Sequence, residues 1–220
     1  DKIGPMCRSA DDCGLVLKVI AGGDSKDPAS AGKSFFYTPQ YAPKPDQVRI
    51  GWSPADFFEA PEESARPAFK QAVEAVRALG VQMVETRLPD LPYGLVTSTV
   101  ISAEGSAVFE PLIASGQVDQ LADQKQIAGL RAGLDIAAKD YLKAMRIRTE
   151  IQQAFRKLFA QVDVLATPAR LGPASKLDEP LDAGSKRPMP KDQGLRALIP
   201  AGNAAGVPAL CLPCGFVDGL

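Results

Sequence analysis

A strand–helix–strand pattern between residues 48 and 85 places the strongest constraint on how this chain can fold. The stretch 48–52, VRIGW, alternates in the way that a β-strand does, and the stretch 81–85, VQMVE, does so again. Between them, apolar residues recur at helical spacing from about 64 to 79, and Gly80 ends that helix. Two consecutive strands joined by a helix lie parallel, with a right-handed crossover. The sequence therefore predicts an α/β fold in which a mostly parallel or mixed sheet is covered by helices.

The rest of the chain supplies further helices and strands. Residues 92–134 have a helical pattern that glycines interrupt, and residues 137–161 form the clearest helix of the sequence. A strand over 162–168 follows that helix directly, and a small-residue helix and a last strand are predicted within 195–213. The proline-rich stretch 170–194 is predicted to be a long loop, which is typical of lids and binding loops. The pattern predicts a single domain and gives no strand order.

The N-terminal residues predict a capped helix followed by a connector. Ser9 is a good N-cap, and Asp12, three residues later, completes a pattern that resembles a capping box. Apolar residues then recur at helical spacing until Gly22 and Gly23, where the helix is expected to end. Residues 24–46 are rich in proline, serine and lysine, and we predict that they connect this helix to the first strand.

The charge and residue content exclude several classes of function. With 25 basic and 26 acidic residues, a net charge of −1 and no basic stripe, the chain is not expected to bind nucleic acid. No apolar run approaches the roughly 20 residues that cross a bilayer, so we expect no membrane partner and a cytoplasmic protein. Histidine is absent, which removes the commonest general base and the commonest metal ligand. No cofactor is predicted, and any catalysis must use other side chains.

The C-x-x-C pair of Cys211 and Cys214 raises the possibility of a zinc or redox site. The flanking letters, PALCLP, are typical of a buried strand, in which residues three apart point to opposite faces. Pro213 and Gly215 also prevent the helix that a thioredoxin-type motif needs after its first cysteine. Buried, inert thiols are therefore the favoured interpretation, with a metal or redox protein as the alternative.

One basic residue falls inside the apolar stripe of the long helix. Arg148 lies seven residues after Tyr141 and seven before Phe155, on the face that points toward the interior. An unpaired guanidinium there would cost several kcal/mol, so we expect something anionic to meet it. Three interpretations remain open: a structural ion pair with a carboxylate, a side chain that extends along the apolar surface to reach water, or a substrate site that Arg148 lines together with Tyr141.

Asn203 is a second candidate for ligand binding. It lies within AGNAAG at 201–206, where small residues allow backbones to approach closely. Its side chain either satisfies nearby backbone groups or contacts a ligand. The chain contains no G-x-S-x-G nucleophile motif, no phosphate-binding P-loop and no G-x-G-x-x-G fingerprint. Common catalytic motifs therefore do not identify a reaction.

Three blocks of the sequence together resemble the amidase signature hydrolases. The first block is DKIGPMCRSADDCGLVLKVIAGGDSKDPAS at 1–30. It is similar to the family's stretch after the catalytic core, and the matching positions are Asp1, Gly4, Pro5, Arg8, Asp11, Asp12, Gly23, Asp24, Asp27 and Pro28. The second block, 141–168, resembles the family's Tyr-Leu-x-x-Ala helix and the strand that ends in Thr-Pro. The third, NAAGVPALCLPCG at 203–215, resembles its closing segment. The resemblance spans nearly the whole chain and is weakest over 92–134.

This resemblance implies the C-terminal part of an amidase fold and the hydrolysis of amide C–N bonds. The family uses a Ser-cis-Ser-Lys triad, in which one serine attacks the carbonyl and the lysine acts as base through the second serine. Its Gly-Gly-Ser-rich catalytic stretch and its lysine lie upstream of the first block, and no GGS occurs in the chain. We therefore expect 1–220 to be an incomplete amidase domain, truncated at both ends. It would contribute pocket wall and scaffold, with no catalytic residue of its own and no activity alone.

The expected ligand is a small-molecule amide or carboxylate, bound by Tyr141, Arg148 and Asn203. The expected partner is the missing N-terminal catalytic segment or a partner chain, because a partial α/β core exposes a sheet edge and apolar surface. Self-association into a homo-oligomer is also possible.

Two alternatives remain at this point. One is a non-catalytic binding module that uses the amidase scaffold, with Arg148 and the 170–194 loop as its contact surface. The other is a fragment of the A subunit of a tRNA-dependent amidotransferase. That branch tends to place an acidic residue shortly before the closing asparagine segment, whereas 194–200 contains only Arg196 as a charged residue. This difference favours a general amidase.

Overall fold

The computed structural model describes most of the chain, in two compact units. The described residues are 4–27, 30, 32–174, 177, 194–217 and 219. The first unit comprises residues 1–44 and the second comprises residues 45–220. The prediction of a single, incomplete domain over 1–220 stays a prediction.

The first unit contains the predicted N-terminal helix. Helix α1 spans Ala10–Ile20, and the Ser9 side chain accepts a hydrogen bond of 3.1 Å from the backbone N–H of Asp12. This bond satisfies one of the free N–H groups at the helix start, so the N-cap prediction is confirmed. The Tyr37 hydroxyl donates to the carboxylate of Asp11 and links the connector to the first turn of the helix.

The second unit is built around a parallel sheet, as the strand–helix–strand pattern predicts. Strands β1 (Arg49–Trp52), β2 (Gln82–Glu85) and β3 (Val164–Leu165) lie in the order β2-β1-β3 within the described residues. Both pairings are parallel, and Ile50 lies opposite Met83 on one side and Val164 on the other. Helix α3, Arg66–Ala78, crosses from β1 to β2. The predicted α/β fold is therefore confirmed.

Helices make up most of the second unit. The remaining α-helices of the described part are α2 (Pro54–Phe58), α4 (Tyr93–Val108), α5 (Glu110–Ala114), α6 (Gln124–Gly133), α7 (Ala138–Leu158) and α8 (Leu198–Ala205). Short 3₁₀ helices occupy Pro39–Tyr41, Pro45–Gln47, Glu63–Ala65 and Gln117–Gln120. The segment 92–134, predicted as interrupted helix, consists of α4, α5 and α6, with Gly116 at a positive φ of 75° beginning the 3₁₀ turn between α5 and α6.

Helices α4, α7 and α8 pack together to form the main hydrophobic core. The buried members of this core are Tyr93, Val96, Ala144, Ile151, Phe155, Ala201 and Ala204. The small residues of α8 allow its backbone to approach both longer helices, and Thr97 Oγ1 donates to the carbonyl of Pro200 at 2.9 Å. This three-helix contact fixes where α8 ends relative to the middle of α7.

Two sequence predictions near the C-terminus have different outcomes. The predicted loop 170–194 lies largely outside the described residues. The predicted strand ALCLP at 209–213 belongs to no helix and no sheet within the described part of the chain. The strand prediction is not borne out there, because no described strand lies beside this segment to complete a ladder.

Candidate functional site

The candidate site lies where the middle of α7 meets the C-terminal end of α8. Arg148 projects from α7 and is half-buried. Its Nε donates a hydrogen bond of 2.9 Å to the carbonyl oxygen of Ala204. The last carbonyls of a helix lack partners within the helix and carry partial negative charge, so an arginine side chain is a suitable donor to them.

The helix end shapes the surroundings of the guanidinium. Gly206 caps α8 at a positive φ of 78°. A Cβ atom added to Gly206 would lie 3.9 Å from Arg148 Nη2. The sequence predicted that something anionic would meet Arg148, whereas its partner here is a neutral carbonyl group. The carboxylate of the ion-pair interpretation is not found among the described residues, and a backbone carbonyl takes its place because the C-terminal end of α8 lies beside this helix face.

Tyr141 lies two turns before Arg148 on the same side of α7. Its hydroxyl donates to Glu104 Oε1 of α4 at 2.8 Å. This hydrogen bond is the main reason that the pKa of Tyr141 is raised, with desolvation and the negative charge of Glu104 adding to it and the charge of Arg148 opposing it. The charge of Arg148 therefore acts on the Tyr141 hydroxyl, and a substrate site shared by the two residues stays a prediction.

Asn203 is exposed on α8, next to the residue whose carbonyl receives Arg148. Asn203 also makes an interaction within the folded chain. The three residues selected from the sequence therefore lie on two adjacent helices, around one helix end. Their role in substrate binding stays a prediction.

Sequence reasoning missed a buried ion pair at the carboxyl end of β1. Asp56 in α2 is fully buried, and Arg196 Nε donates to Asp56 Oδ1 at 3.0 Å. The backbone N–H of Leu195 donates to Asp56 Oδ2 at 2.6 Å. Gly194 has a positive φ of 44°, and a Cβ there would collide with the Asp56 carboxylate and the Ser53 hydroxyl. These contacts fix the backbone of 194–196 against the carboxyl end of the sheet.

The carboxyl end of a parallel sheet is where α/β proteins commonly bind ligands. Arg196 is 5% exposed in its side chain, and its Nη1 is buried without a hydrogen-bond partner among the residues that the structure describes. The only sequence signal for this pair was that Arg196 is the one charged residue in 194–200. Its partner lies 140 positions away, so nothing local identified Asp56.

The residues described offer no metal centre. Within them, no group of three or more histidine, cysteine, aspartate or glutamate side chains is placed to hold a metal ion. Cys211 and Cys214 are free and exposed, so the prediction of buried thiols is wrong. The reason is the unpaired segment that carries them: no sheet or helix within the described residues covers it.

Comparison with known proteins agrees with this fold and helix arrangement. The model of the family described as Amidase matches residues 1–220. The chain is 32% identical over 244 residues to the A subunit of the Glutamyl-tRNA(Gln) amidotransferase from Trichodesmium erythraeum, covering 98% of the chain and 49% of that protein. It is 30% identical over 233 residues to an amidase from Pseudomonas putida, covering 100% of the chain and 48% of that protein. The chain belongs to the amidase family.

Solved structures share the fold at lower sequence identity. A bacterial aryl acylamidase of the amidase signature family superposes with a TM-score of 0.69 at 19% identity, covering 98% of the chain and 47% of that structure. The A subunit of the Glutamyl-tRNA(Gln) amidotransferase from Thermotoga maritima superposes with a TM-score of 0.60 at 19% identity, covering 99% and 46%. The chain spans about half the length of the curated relatives it matches.

None of the helices within the described residues combines the length and the hydropathy that crossing a bilayer requires.

Proposed function

We propose that this chain forms the substrate-pocket wall and scaffold of an amidase that hydrolyses amide C–N bonds. The observation that carries the proposal is Arg148, a half-buried cation held against the C-terminal end of α8 with Tyr141 on the same helix side. The chain's membership of the amidase family supplies the reaction class. The serine nucleophile and the lysine base would come from a polypeptide segment that these 220 residues do not include.

Arg148 is suited to bind a carboxylate or a carbonyl oxygen of the substrate. Its Nε is occupied by Ala204, which fixes the direction of the guanidinium, and the remaining N–H groups form a rigid fork. A planar fork of this kind matches the two oxygens of a carboxylate. Because the guanidinium is only half-buried, water reaches it in the free chain, and a ligand oxygen would replace that water.

Tyr141 and Asn203 would complete the contact surface. The Tyr141 hydroxyl is held by Glu104 and keeps an acceptor lone pair for an N–H group of the ligand. The side chain of Asn203 is exposed beside the same helix end and can both donate and accept. Together with Arg148 they would recognise a small amide that also carries an acceptor oxygen.

The test is ligand binding by the chain with a matched pair of arginine variants. Arg148→Met fills the same apolar stripe but removes the donors, and it should weaken binding of a carboxylate-bearing amide such as succinamate about tenfold or more. Arg146→Met, on the exposed side of the same helix, should leave that affinity within twofold. Isothermal titration calorimetry measures both. Equal affinities of the two variants would contradict the proposed role of Arg148.

Two other functions have support of their own. A non-catalytic binding module would use the same Arg148 contact, and it is favoured if the chain binds carboxylates but supports no amide hydrolysis with any complementary segment. The A subunit of an amidotransferase is favoured by relatives of that name. Against it, Arg196 is the one charged residue of 194–200, where that branch tends to have an acid. We therefore propose a general amidase, with a cytoplasmic location and a complementary polypeptide segment as partner.

A further inference from the structure

The thiols of the two N-terminal cysteines meet beside the first turn of α1. Cys7 lies two residues before the N-cap Ser9, and Cys13 is the fourth residue of the helix. The backbone N–H of Cys13 donates to the carbonyl of Ser9 at 3.2 Å, which closes the first turn. The side chains of Cys7 and Cys13 share a hydrogen bond. Their sulfur atoms therefore lie in contact in the folded chain.

The geometry of a capped helix start explains this contact. A side chain just before the N-cap often packs against the fourth helical residue, which fixes the direction in which the chain enters the helix. The Cys13 thiol also donates to the carbonyl of Pro5 at 3.8 Å, so its sulfur faces the stretch that precedes the helix. Two separate residues, Pro5 and Cys7, thus hold the Cys13 thiol in place.

The two thiols differ in how easily a reagent reaches them. Both are free, but Cys7 is exposed and Cys13 is half-buried. In thiol–disulfide exchange, an accessible thiolate attacks the reagent first, and a second thiolate then resolves the mixed disulfide. Cys7 is placed for the first step and Cys13 for the second. Partial desolvation, the hydrogen bond to Cys13 and the charges of Cys13 and Asp12 raise the pKa of Cys7, so the first step should accelerate as pH rises.

We propose that Cys7 and Cys13 form a redox-active dithiol that a small disulfide, such as oxidised glutathione, converts into an intramolecular disulfide. The Cys7 thiolate attacks one sulfur of the reagent and releases one molecule of reduced glutathione. The Cys13 thiolate then attacks the sulfur of Cys7 and releases the second molecule. The two cysteines lose two electrons and two protons, and the S–S bond of the reagent is reduced to two thiols. This chemistry is independent of the proposed amidase function.

The disulfide would stabilise the start of α1. The helix has 11 residues, and none of them is buried. A helix of that length is marginal in water unless other contacts support it. A bond between Cys7 and Cys13 encloses the N-cap and the first turn, so opening from this end would become rarer. Oxidation would therefore convert a helix start that opens readily into one that stays folded.

The experiment uses the 220-residue chain with Cys211→Ser and Cys214→Ser, so that only the N-terminal pair can react. This parent protein is equilibrated with mixtures of reduced and oxidised glutathione, the remaining thiols are alkylated, and mass spectrometry measures the fraction of intramolecular disulfide. The equilibrium constant gives the effective concentration of one thiol at the other. It should be at least tenfold higher in the native protein than in concentrated guanidinium chloride, because the folded helix start brings the sulfurs together.

A matched variant moves one thiol by a single position. Met6 is 99% exposed, so Met6→Cys combined with Cys7→Ser keeps the number of thiols and changes only their alignment with Cys13. The effective concentration in the native variant should fall at least tenfold below that of the parent, and the two proteins should agree in denaturant.

Hydrogen exchange followed by mass spectrometry provides a second readout. Oxidation of the parent should slow exchange of the α1 amides at least fivefold. The same treatment of Cys7→Ser in the parent background should leave that exchange unchanged, because no intramolecular disulfide can form.

Three results would overturn the inference: no intramolecular disulfide at any glutathione ratio, equal effective concentrations in the native and denatured parent, or equal effective concentrations in the native parent and the shifted variant. A disulfide that leaves the exchange of α1 unchanged would refute the stabilisation of the helix. None of these measurements depends on amide hydrolysis, so a failure of the proposed function and a failure of this inference are distinguishable.

Discussion

At the residue scale, the most demanding feature of the second unit is the fully buried carboxylate of Asp56. Removing one partner of a buried ion pair leaves an uncompensated charge in the interior. Asp56→Ala should therefore destabilise the chain by about 3–5 kcal/mol, because it leaves the buried Arg196 guanidinium without its carboxylate and the Leu195 N–H without its acceptor. Urea denaturation followed by circular dichroism measures the change.

The control for this prediction replaces both partners. In the double variant Asp56→Ala with Arg196→Met no buried charge remains, so stability should recover by more than half of the loss. If the double variant is as unstable as Asp56→Ala alone, the pair stabilises the chain through packing and not through its charges.

A second prediction concerns Asp163, whose pKa is lowered to about 2. The main cause is the hydrogen bonding of its carboxylate with the Arg49 side chain, and a bond of 2.8 Å from the Arg49 N–H adds to it. Because the pKa of Asp163 is lower in the folded chain than in the unfolded chain, its ionised carboxylate stabilises the fold. This stabilisation is complete above about pH 4, which is the pKa of the group in the unfolded chain, and it is lost as pH falls toward 2. Thermal melting should show that Asp163→Asn loses less stability than wild type between pH 4 and pH 2. Parallel losses in the two proteins would refute this assignment.

For individual residues, the sequence predicted orientation better than contacts. The helical period identified Arg148 as facing inward, because one helix determines which residues share a face. It could not identify Ala204 as the partner, since that contact depends on how α8 packs against α7. The same limit hid Asp56 and Arg196, which meet only after the sheet has formed.

At the scale of elements, two glycines of α6 differ in why they interrupt the helical sequence pattern of 92–134. A Cβ at Gly133 would collide with Ser106 Oγ and with the carbonyl oxygen of Ser102 in α4, whereas nothing lies within 4 Å of a Cβ at Gly129. Gly133→Ala should therefore destabilise the chain by about 1–3 kcal/mol through overpacking. Gly129→Ala should stabilise it by up to about 1 kcal/mol, because alanine favours the helix.

Differential scanning calorimetry of the two alanine variants gives the comparison directly. A similar change in melting temperature at both positions would mean that the close approach of α4 and α6 at Gly133 is not needed. In the sequence these glycines suggested breaks in a helix, whereas one of them marks a close contact between helices.

Elements with a strong period were predicted well. The strand–helix–strand unit and α7 have long runs of regular apolar spacing, and the structure confirms them within a few residues. The short helix α2 was not predicted, because its five residues, PADFF, carry too few positions to show a period. The segment 209–213 has the pattern of a strand but lacks a described neighbour, and a strand pattern by itself does not supply one.

At the scale of the whole molecule, the chain belongs to the amidase family and spans about half of its relatives' length. The resemblance of three separate sequence blocks, in the order that the family has them, was sufficient for the family. The pocket was not predictable to the same degree, since the site residues come together through contacts between helices that are distant in the sequence.

The central claim is that this chain provides framework and pocket wall around a serine nucleophile that belongs to another segment. Its most direct test is ammonia release from a panel of simple amides by the purified 220-residue chain, first alone and then with the complementary half of the Pseudomonas putida relative. We predict no release from the chain alone and measurable release from the pair. Release by the chain alone, abolished by replacing one of its own serines with alanine, would contradict the claim.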